Sequence, residues 1–254
     1  MKTLLTIAAM WCGARGDHAR LAGRYSEAER RVRRGLALAR LAGAYDGTLG
    51  VRLLNSLGMI YKYEERFACS ARAYQRALRL ARRHVHANHP TFAGLYHNMA
   101  GLEHACARYD VAELLARHGL AIRERALGPD HPDVARDLAA LAAILDGVGR
   151  SAEAEAMHRR ALEIFGRRGR AERREVAYTM GNLAACLHLL GRRDEAIEVA
   201  REGARLQIRV LGAGHPDVRL TMANLAVVEG NRKGRRTRTP PPDSARLRGY
   251  FEPK

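Results

Sequence analysis

Three asparagines recur at one register of the chain, and their side chains are suited to holding another polypeptide. Asn98, Asn182 and Asn224 are separated by 84 and 42 residues, and each directly precedes a large apolar residue. A side-chain amide offers both a donor and an acceptor, so it can pair with a peptide group as a neighbouring strand would. The spacing predicts a row of amides along an extended peptide, although Ser56 and Ala140 interrupt the row.

Further candidate binding residues lie within two helical turns of this register. Arginines one turn before it would favour an acidic segment or a carboxylate, and histidines near it could tune binding around neutral pH. A simpler alternative is that the asparagines only brace neighbouring helices and that the arginines are solvated. The additional candidates are Arg52, Asn55, His97, His104, Arg136 and His188.

The residue patterns of an enzyme or a metalloprotein are absent from the sequence. It contains no Gly-rich phosphate loop and no GxSxG, HExxH or deaminase-type motif. The four cysteines form no CxxC pair, and the histidines within 84–89 lack an ordered fourth ligand. We therefore predict no catalytic residues, no metal site, no cofactor and free thiols.

The formal charge of +17 first indicates nucleic acid or a membrane surface as the partner. All but four of the 44 basic residues are arginine, however, and a GC-rich coding sequence produces this bias without a functional cause. The abundance of Ala, Leu and Arg favours helices over strands. No stretch is apolar over a length that would span a bilayer, so we expect a cytoplasmic protein with no membrane partner.

The chain repeats itself every 42 residues, and this period organises the whole sequence. His89-Pro90 and His131-Pro132 keep the step, as do small residues that follow an apolar series. Within each repeat the apolar residues recur with the period of one helix face, which predicts two helices per repeat. The apolar series is Leu57, Met99, Leu141, Leu183 and Leu225.

The joints between the predicted helices are also readable. Proline suits the first helical position because its missing N–H would have no partner there, so each His-Pro pair predicts a helix start and a structural histidine. Glycines such as Gly149 and Gly191 predict the turn between the two helices of a repeat. Gly58 is expected to face Ala77 of the second helix, so that the two axes approach closely.

These features resemble the tetratricopeptide repeat. The repeat length and the segment Leu-Gly-Pro-Asp-His-Pro-Asp-Val at 127–134 are similar to the repeats of kinesin light chains and their bacterial relatives. The resemblance covers about residues 20–230, and it includes no heptad coiled coil of the kind that binds the motor. The residues that carry it are Gly58, Tyr61, Phe67, Tyr74 and Ala77.

The resemblance implies an all-α fold, a right-handed α-α superhelix in which about five helix pairs and a capping helix form a tetratricopeptide solenoid. First helices would line a concave groove, and second helices would lie outside. In peptide-binding members of the family, an asparagine at the register of Asn182 commonly bonds the backbone of the ligand.

The period predicts one repeat domain over residues 1–230, followed by a tail. Residues 3–22 are interpreted as the first helix, with a signal segment as the alternative. The tail at 231–254 has eight basic against two acidic residues and three consecutive prolines, which predicts disorder. The predicted repeats are about 3–45, 46–87, 88–129, 130–171 and 172–213, with a capping helix at 214–230.

Taken together, these patterns favour a protein–protein interaction module or adaptor that holds an extended segment of a partner in its concave groove. The arginines favour a partner with an acidic segment. One alternative is the ligand- or peptide-sensing part of a transcriptional or signalling regulator system. Another is a nucleic-acid binder that uses its arginines and the basic tail, which acts as an electrostatic arm or only as a solubilising end. The sequence specifies neither the partner nor the oligomeric state.

Overall fold

The structure, a computed structural model, describes residues 1–86 and 88–230. This part of the chain contains eleven α-helices, one 3-10 helix at Gly169–Glu172 and no strand, which confirms the predicted all-α class. The prediction of a disordered tail at 231–254 lies outside the described residues. The helices are α1 (Lys2–Leu21), α2 (Tyr25–Leu41), α3 (Thr48–Tyr63), α4 (Phe67–His84), α5 (Pro90–Ala105), α6 (Tyr109–Leu127), α7 (Pro132–Gly147), α8 (Ser151–Gly166), α9 (Arg173–Leu189), α10 (Arg193–Leu211) and α11 (Pro216–Val228).

Consecutive helices pack as pairs. The helix α1 packs on α2, α3 on α4, α7 on α8 and α9 on α10. The described chain divides into two compact units, one up to residue 122 and one from residue 123 onward, and the boundary falls within α6. The predicted boundaries of the individual repeats stay a prediction.

Histidine and proline together start two of the helices. The Nδ1 atom of His89 accepts a hydrogen bond from the backbone N–H of Thr91 at 3.2 Å. The Nδ1 atom of His131 accepts one from the N–H of Asp133 at 3.1 Å. Each histidine therefore caps the N-terminus of the helix that its proline opens, and the predicted structural role is confirmed.

The turn between the two helices of a pair needs a residue with positive φ, in the left-handed region of backbone conformation. No atom lies within 4 Å of the position that a Cβ would occupy at Gly23, Gly149 or Gly191, so backbone conformation rather than space selects glycine there. Two repeats place other residues at this point. The series is Gly23 at φ 73°, Glu65 at 57°, Ala107 at 56°, Gly149 at 79° and Gly191 at 78°.

Close approach inside a pair occurs at the small residues. A Cβ at Gly58 would lie 2.4 Å from Cε1 of Tyr74, so Gly58 packs on this ring, and the expectation that it faces Ala77 stays a prediction. A Cβ at Gly119 would lie 3.2 Å from the carbonyl oxygen of Ala93, near the start of α5. The crossing of two helices decides which residues oppose one another, and a repeat register alone does not contain that crossing.

Replacement of Ala107 by glycine should stabilise the first compact unit. An L-residue in the left-handed region costs roughly 1–2 kcal/mol, while the extra freedom of glycine in the unfolded chain costs about 0.5–1 kcal/mol. The net gain is expected to be about 0.5–1 kcal/mol, measured as a higher midpoint of thermal unfolding by circular dichroism. Gly23→Ala is the matched control and should lower the midpoint; a lower midpoint for Ala107→Gly would contradict the assignment.

Candidate peptide-binding surface

The first helices of successive pairs contact one another within each compact unit. In the first unit α1 contacts α3 and α3 contacts α5; in the second α7 contacts α9 and α9 contacts α11. We call the non-buried side chains of α3 and α5 in the first unit, and of α7, α9 and α11 in the second, the first-helix surface of each unit. The apolar series that anchors the helices is buried as predicted, from Leu141 at 0% exposure to Leu57 and Leu225 at 8%.

The two asparagines of the first unit bond to each other. The amide nitrogen of Asn98 on α5 donates to the amide oxygen of Asn55 on α3 at 2.9 Å, and both side chains are half-buried. This bond joins the first helices of neighbouring repeats. At this point of the chain the bracing alternative describes the asparagines.

The two asparagines of the second unit are open. Asn182 on α9 and Asn224 on α11 are exposed, and within the described residues neither amide has a hydrogen-bond partner. Their neighbours Leu183 and Leu225 are buried, so each asparagine lies at the edge of the buried face of its helix. Donor and acceptor of both amides are therefore available to a ligand.

The two candidate arginines differ in their surroundings. Arg136 donates to Glu172 at 2.7 Å, lies 3.6 Å from Glu175 and is also bonded to Asp133. Arg52 is exposed and has no ion-pair partner in the part of the chain that the structure describes. An acidic ligand can therefore meet Arg52 directly, whereas at Arg136 it would compete with three carboxylates.

Sequence reasoning missed a pair of cations at the end of the first helices. Lys62 on α3 is half-buried, and its Nζ lies 3.3 Å from the position of a Cβ at Gly101 on α5. Burial, and next the charge of Arg20 on α1, lower the pKa of Lys62. No carboxylate pairs with Lys62 among the described residues. The sequence contained a signal for this pair, because Arg20, Lys62 and His104 occupy successive positions of the 42-residue period.

The candidate histidines occupy separate places on the first-helix surface. The ring of His104 lies edge-on to Tyr109 at 5.5 Å between centroids, and His97 beside Asn98 is half-buried. His188 is exposed near the end of α9. The histidines of the first unit are thus packed, and that of the second is open to solvent.

Cys186, His158 and Asp146 meet inside the second unit rather than on its surface, with Nε2 of His158 3.4 Å from Asp146. Cys186 is fully buried and its thiol donates to the carbonyl oxygen of Ser151 at 3.2 Å. Burial, followed by the neighbouring Asp146, raises the pKa of Cys186 to about 12. The thiol is therefore protonated at neutral pH, and it contributes to packing rather than acting as a nucleophile.

All four cysteines are free, and within the described residues no three His, Cys, Asp or Glu side chains are arranged to hold a metal ion. The described helices also include none whose length and apolar character would let it cross a bilayer.

Helix pairs stacked at a constant period define a class of protein, the all-α repeat solenoid that serves as a binding scaffold. Models of the tetratricopeptide repeat match residues 91–167, and residues 51–91 and 176–217. The chain belongs to the tetratricopeptide repeat family, and its fold is similar to that of kinesin-light-chain repeats.

Solved structures with the same fold are distant in sequence. A kinesin light chain of Podosopora anserina with nearly identical TPR-like repeats is 19% identical over 72% of this chain and 88% of that one, with a TM-score of 0.58. BtubC (BKLC) of P. vanneervenii is 18% identical over 96% and 97%, with a TM-score of 0.63. Apo RapI is 16% identical over 88% and 76%, with a TM-score of 0.66. No protein of curated function matches the chain.

Membership of this family supports a role in protein–protein interaction. Repeats of this fold are typically scaffolds for binding rather than catalysts, because their surface consists of helix faces rather than enclosed clefts.

Replacement of Lys62 by methionine should stabilise the first unit at neutral pH. The folded state lowers the pKa of Lys62, so its charged form opposes folding below that pKa. As the pH rises towards the ordinary pKa of lysine, the folded state loses this proton before the unfolded state does, and the wild type gains stability. Thermal midpoints between pH 7 and 10 should be higher for Lys62→Met, with a difference that shrinks as the pH rises. A constant difference, or a lower midpoint at pH 7, would contradict the role of the charge.

Arg136→Ala should lower stability and Arg52→Ala should not. The first change leaves Asp133, Glu172 and Glu175 without their shared cation, at a cost of about 1 kcal/mol for a partly exposed group. The second removes an exposed side chain with no partner. Urea unfolding followed by circular dichroism measures both, and equal losses of stability would show that Arg52 is also a structural residue.

Proposed function

We propose that the chain is an adaptor that binds an extended segment of a partner protein along its first-helix surface. The observation that carries this proposal is the exposure of Asn182 and Asn224, which are 42 residues apart on contacting helices. Each amide offers a donor and an acceptor in the arrangement that a peptide group requires.

The dimensions suit an extended ligand. Packed helices lie about 8–10 Å apart, and an extended chain rises about 3.3 Å per residue. One asparagine per repeat then contacts about every third residue of the peptide. Side chains of the peptide between these contacts would meet the neighbouring residues of α9 and α11.

Charge favours acidic residues in the ligand of the first unit. Arg52 and Lys62 on α3 have no carboxylate partner among the described residues, and Arg20 lies close enough to influence the pKa of Lys62. A carboxylate of the ligand beside Lys62 would meet the charges of both Lys62 and Arg20, which already lie near each other. Little side-chain entropy would therefore be lost when the ligand binds.

The nucleic-acid alternative is weaker because many arginines are paired within the chain. In the second unit Arg192 donates to Glu155 and Arg159 donates to Glu195, each at 2.7 Å. Paired arginines contribute little to the counterion release that drives binding to phosphates. We also propose that the protein acts in the cytoplasm, as a monomer or as an oligomer.

The double variant Asn182→Ala and Asn224→Ala should lose its partner without losing its fold. The measurement is affinity capture from native lysate with the whole chain as bait, washed at low and then at high salt and quantified by mass spectrometry. A partner held by hydrogen bonds and apolar contacts survives the high-salt wash on the wild type. It should fall by about tenfold on the double variant, the loss expected when about 1.4 kcal/mol of binding free energy is removed.

Asn88→Ala is the matched control, since it removes the same amide from an exposed turn between α4 and α5. It should capture as the wild type does, and circular dichroism should show equal helicity for all three proteins. Equal capture by the double variant would refute the assignment of the surface. Nucleic acid that is captured only at low salt and lost on deletion of 231–254 would favour the basic tail instead.

A further inference from the structure

The first helix pair presents large apolar side chains to solvent. Leu4, Ile7 and Trp11 recur on one face of α1 and are 72%, 56% and 57% exposed. Beside Trp11, a groove of about 510 Å3 lies between α1 and α2, and Leu38 lines its far side. We call this surface, together with the arginines around it, the N-terminal face.

The same register is covered in the following repeats. Leu53 lies 42 residues after Trp11 and is 3% exposed, while Leu80 lies 42 residues after Leu38 and is 6% exposed. The Cδ2 atom of Leu53 lies 2.8 Å from the position of a Cβ at Gly13, so this side chain inserts against the preceding helix pair. The N-terminal face therefore continues the stacking surface by which repeats bind one another, and a helix is the element that fits it.

Three arginines that form no ion pair with any described residue surround the apolar part of this face. The guanidinium of Arg15 lies 4.6 Å from the ring centroid of Trp11. Arg30 and Arg34 border the groove, are exposed and form no ion pair with any residue that the structure describes. Arg31 at the same groove is already bonded to Glu27 at 2.7 Å. A helix that covers Trp11 would thus bring its flanking residues next to three arginines, which carboxylates complement.

We propose that the N-terminal face binds an acidic amphipathic helix of another protein, separately from the ligand of the first-helix surface. The apolar stripe of this helix covers Leu4, Ile7 and Trp11. Aspartates or glutamates beside the stripe bond Arg15, Arg30 and Arg34. Binding is of the helix-in-groove kind, in which apolar residues at every third or fourth position supply the affinity and flanking charges supply the selection.

A second copy of the chain fits this face poorly. In a two-fold dimer the same patch meets itself, which would bring Arg30 and Arg34 of both copies together. Like charges placed across an interface are destabilising, and no free carboxylate of the groove offsets them, since Glu27 is bonded to Arg31.

Trp11 makes the test direct, because it is the only tryptophan of the chain. The probe is a synthetic 18-residue helical peptide without tryptophan, with leucines on one face and glutamates elsewhere, titrated into the full-length protein. Its binding should move the emission of Trp11 to shorter wavelength in a saturable way. A second peptide with glutamine in place of each glutamate should bind at least about tenfold more weakly.

Two double variants separate the face from the net charge. Arg30→Glu with Arg34→Glu should weaken the binding of the glutamate peptide by about tenfold or more. Arg79→Glu with Arg83→Glu makes the same change at the same spacing on exposed positions of α4 and should leave it unchanged.

Four outcomes would overturn the proposal. They are no shift of the Trp11 emission with the glutamate peptide, and equal weakening by the two double variants. The third is a Trp11 emission that moves to shorter wavelength as the protein is concentrated without any peptide, which would mean that a second copy covers the face. The fourth is a shift with phosphatidylserine-containing vesicles and none with the peptide, which would mean a lipid surface.

Discussion

A helix pair of this chain completes the burial of its apolar residues by packing on the next pair, and the rest of the structure depends on that stacking. Leu53 of α3 reaches between the helices of the preceding pair, where Gly13 and Gly35 leave room for it. A Cβ at Gly13 would force the end of the Leu53 side chain to move, and a Cβ at Gly35 would also lie 3.1 Å from the carbonyl oxygen of Ala9. Constant repeat length and small residues at the contacts are consequences of this one requirement.

The core is rich in alanine, so its side chains are small. Charged side chains add to the packing around it. The guanidinium of Arg66 lies 4.3 Å from the ring centroid of Tyr61 and donates to Glu29 at 2.7 Å. In the second unit Glu155 and Arg192 occupy the corresponding positions of the period and are also bonded. Many arginines are paired along the second helices. A partner can gain free energy where unpaired cations lie beside exposed apolar side chains, as they do around Trp11.

Local signals predicted the elements well, and the candidate site only in part. Proline at the first helical position and a left-handed residue after each first helix depend on a few neighbouring backbone groups, so the sequence is sufficient to locate them. Asn98 and Asn182 share one register and have different surroundings. Asn98 finds Asn55 within 2.9 Å, whereas Asn182 has no such neighbour. The identity of the facing residue on the next helix decides whether the amide is bonded within the chain or open to solvent.

The sequence by itself determined the all-α class, the two helices per repeat and the residues that start and end them, because these follow from backbone conformation and the period of apolar residues. Only the tertiary structure decided which polar groups are free. Arg136 pairs with carboxylates of its own unit, Lys62 is half-buried without one, and Trp11 is exposed where Leu53 is covered. The physical reason is that exposure and pairing depend on how helices cross and on which chain lies against them, and neither quantity is local.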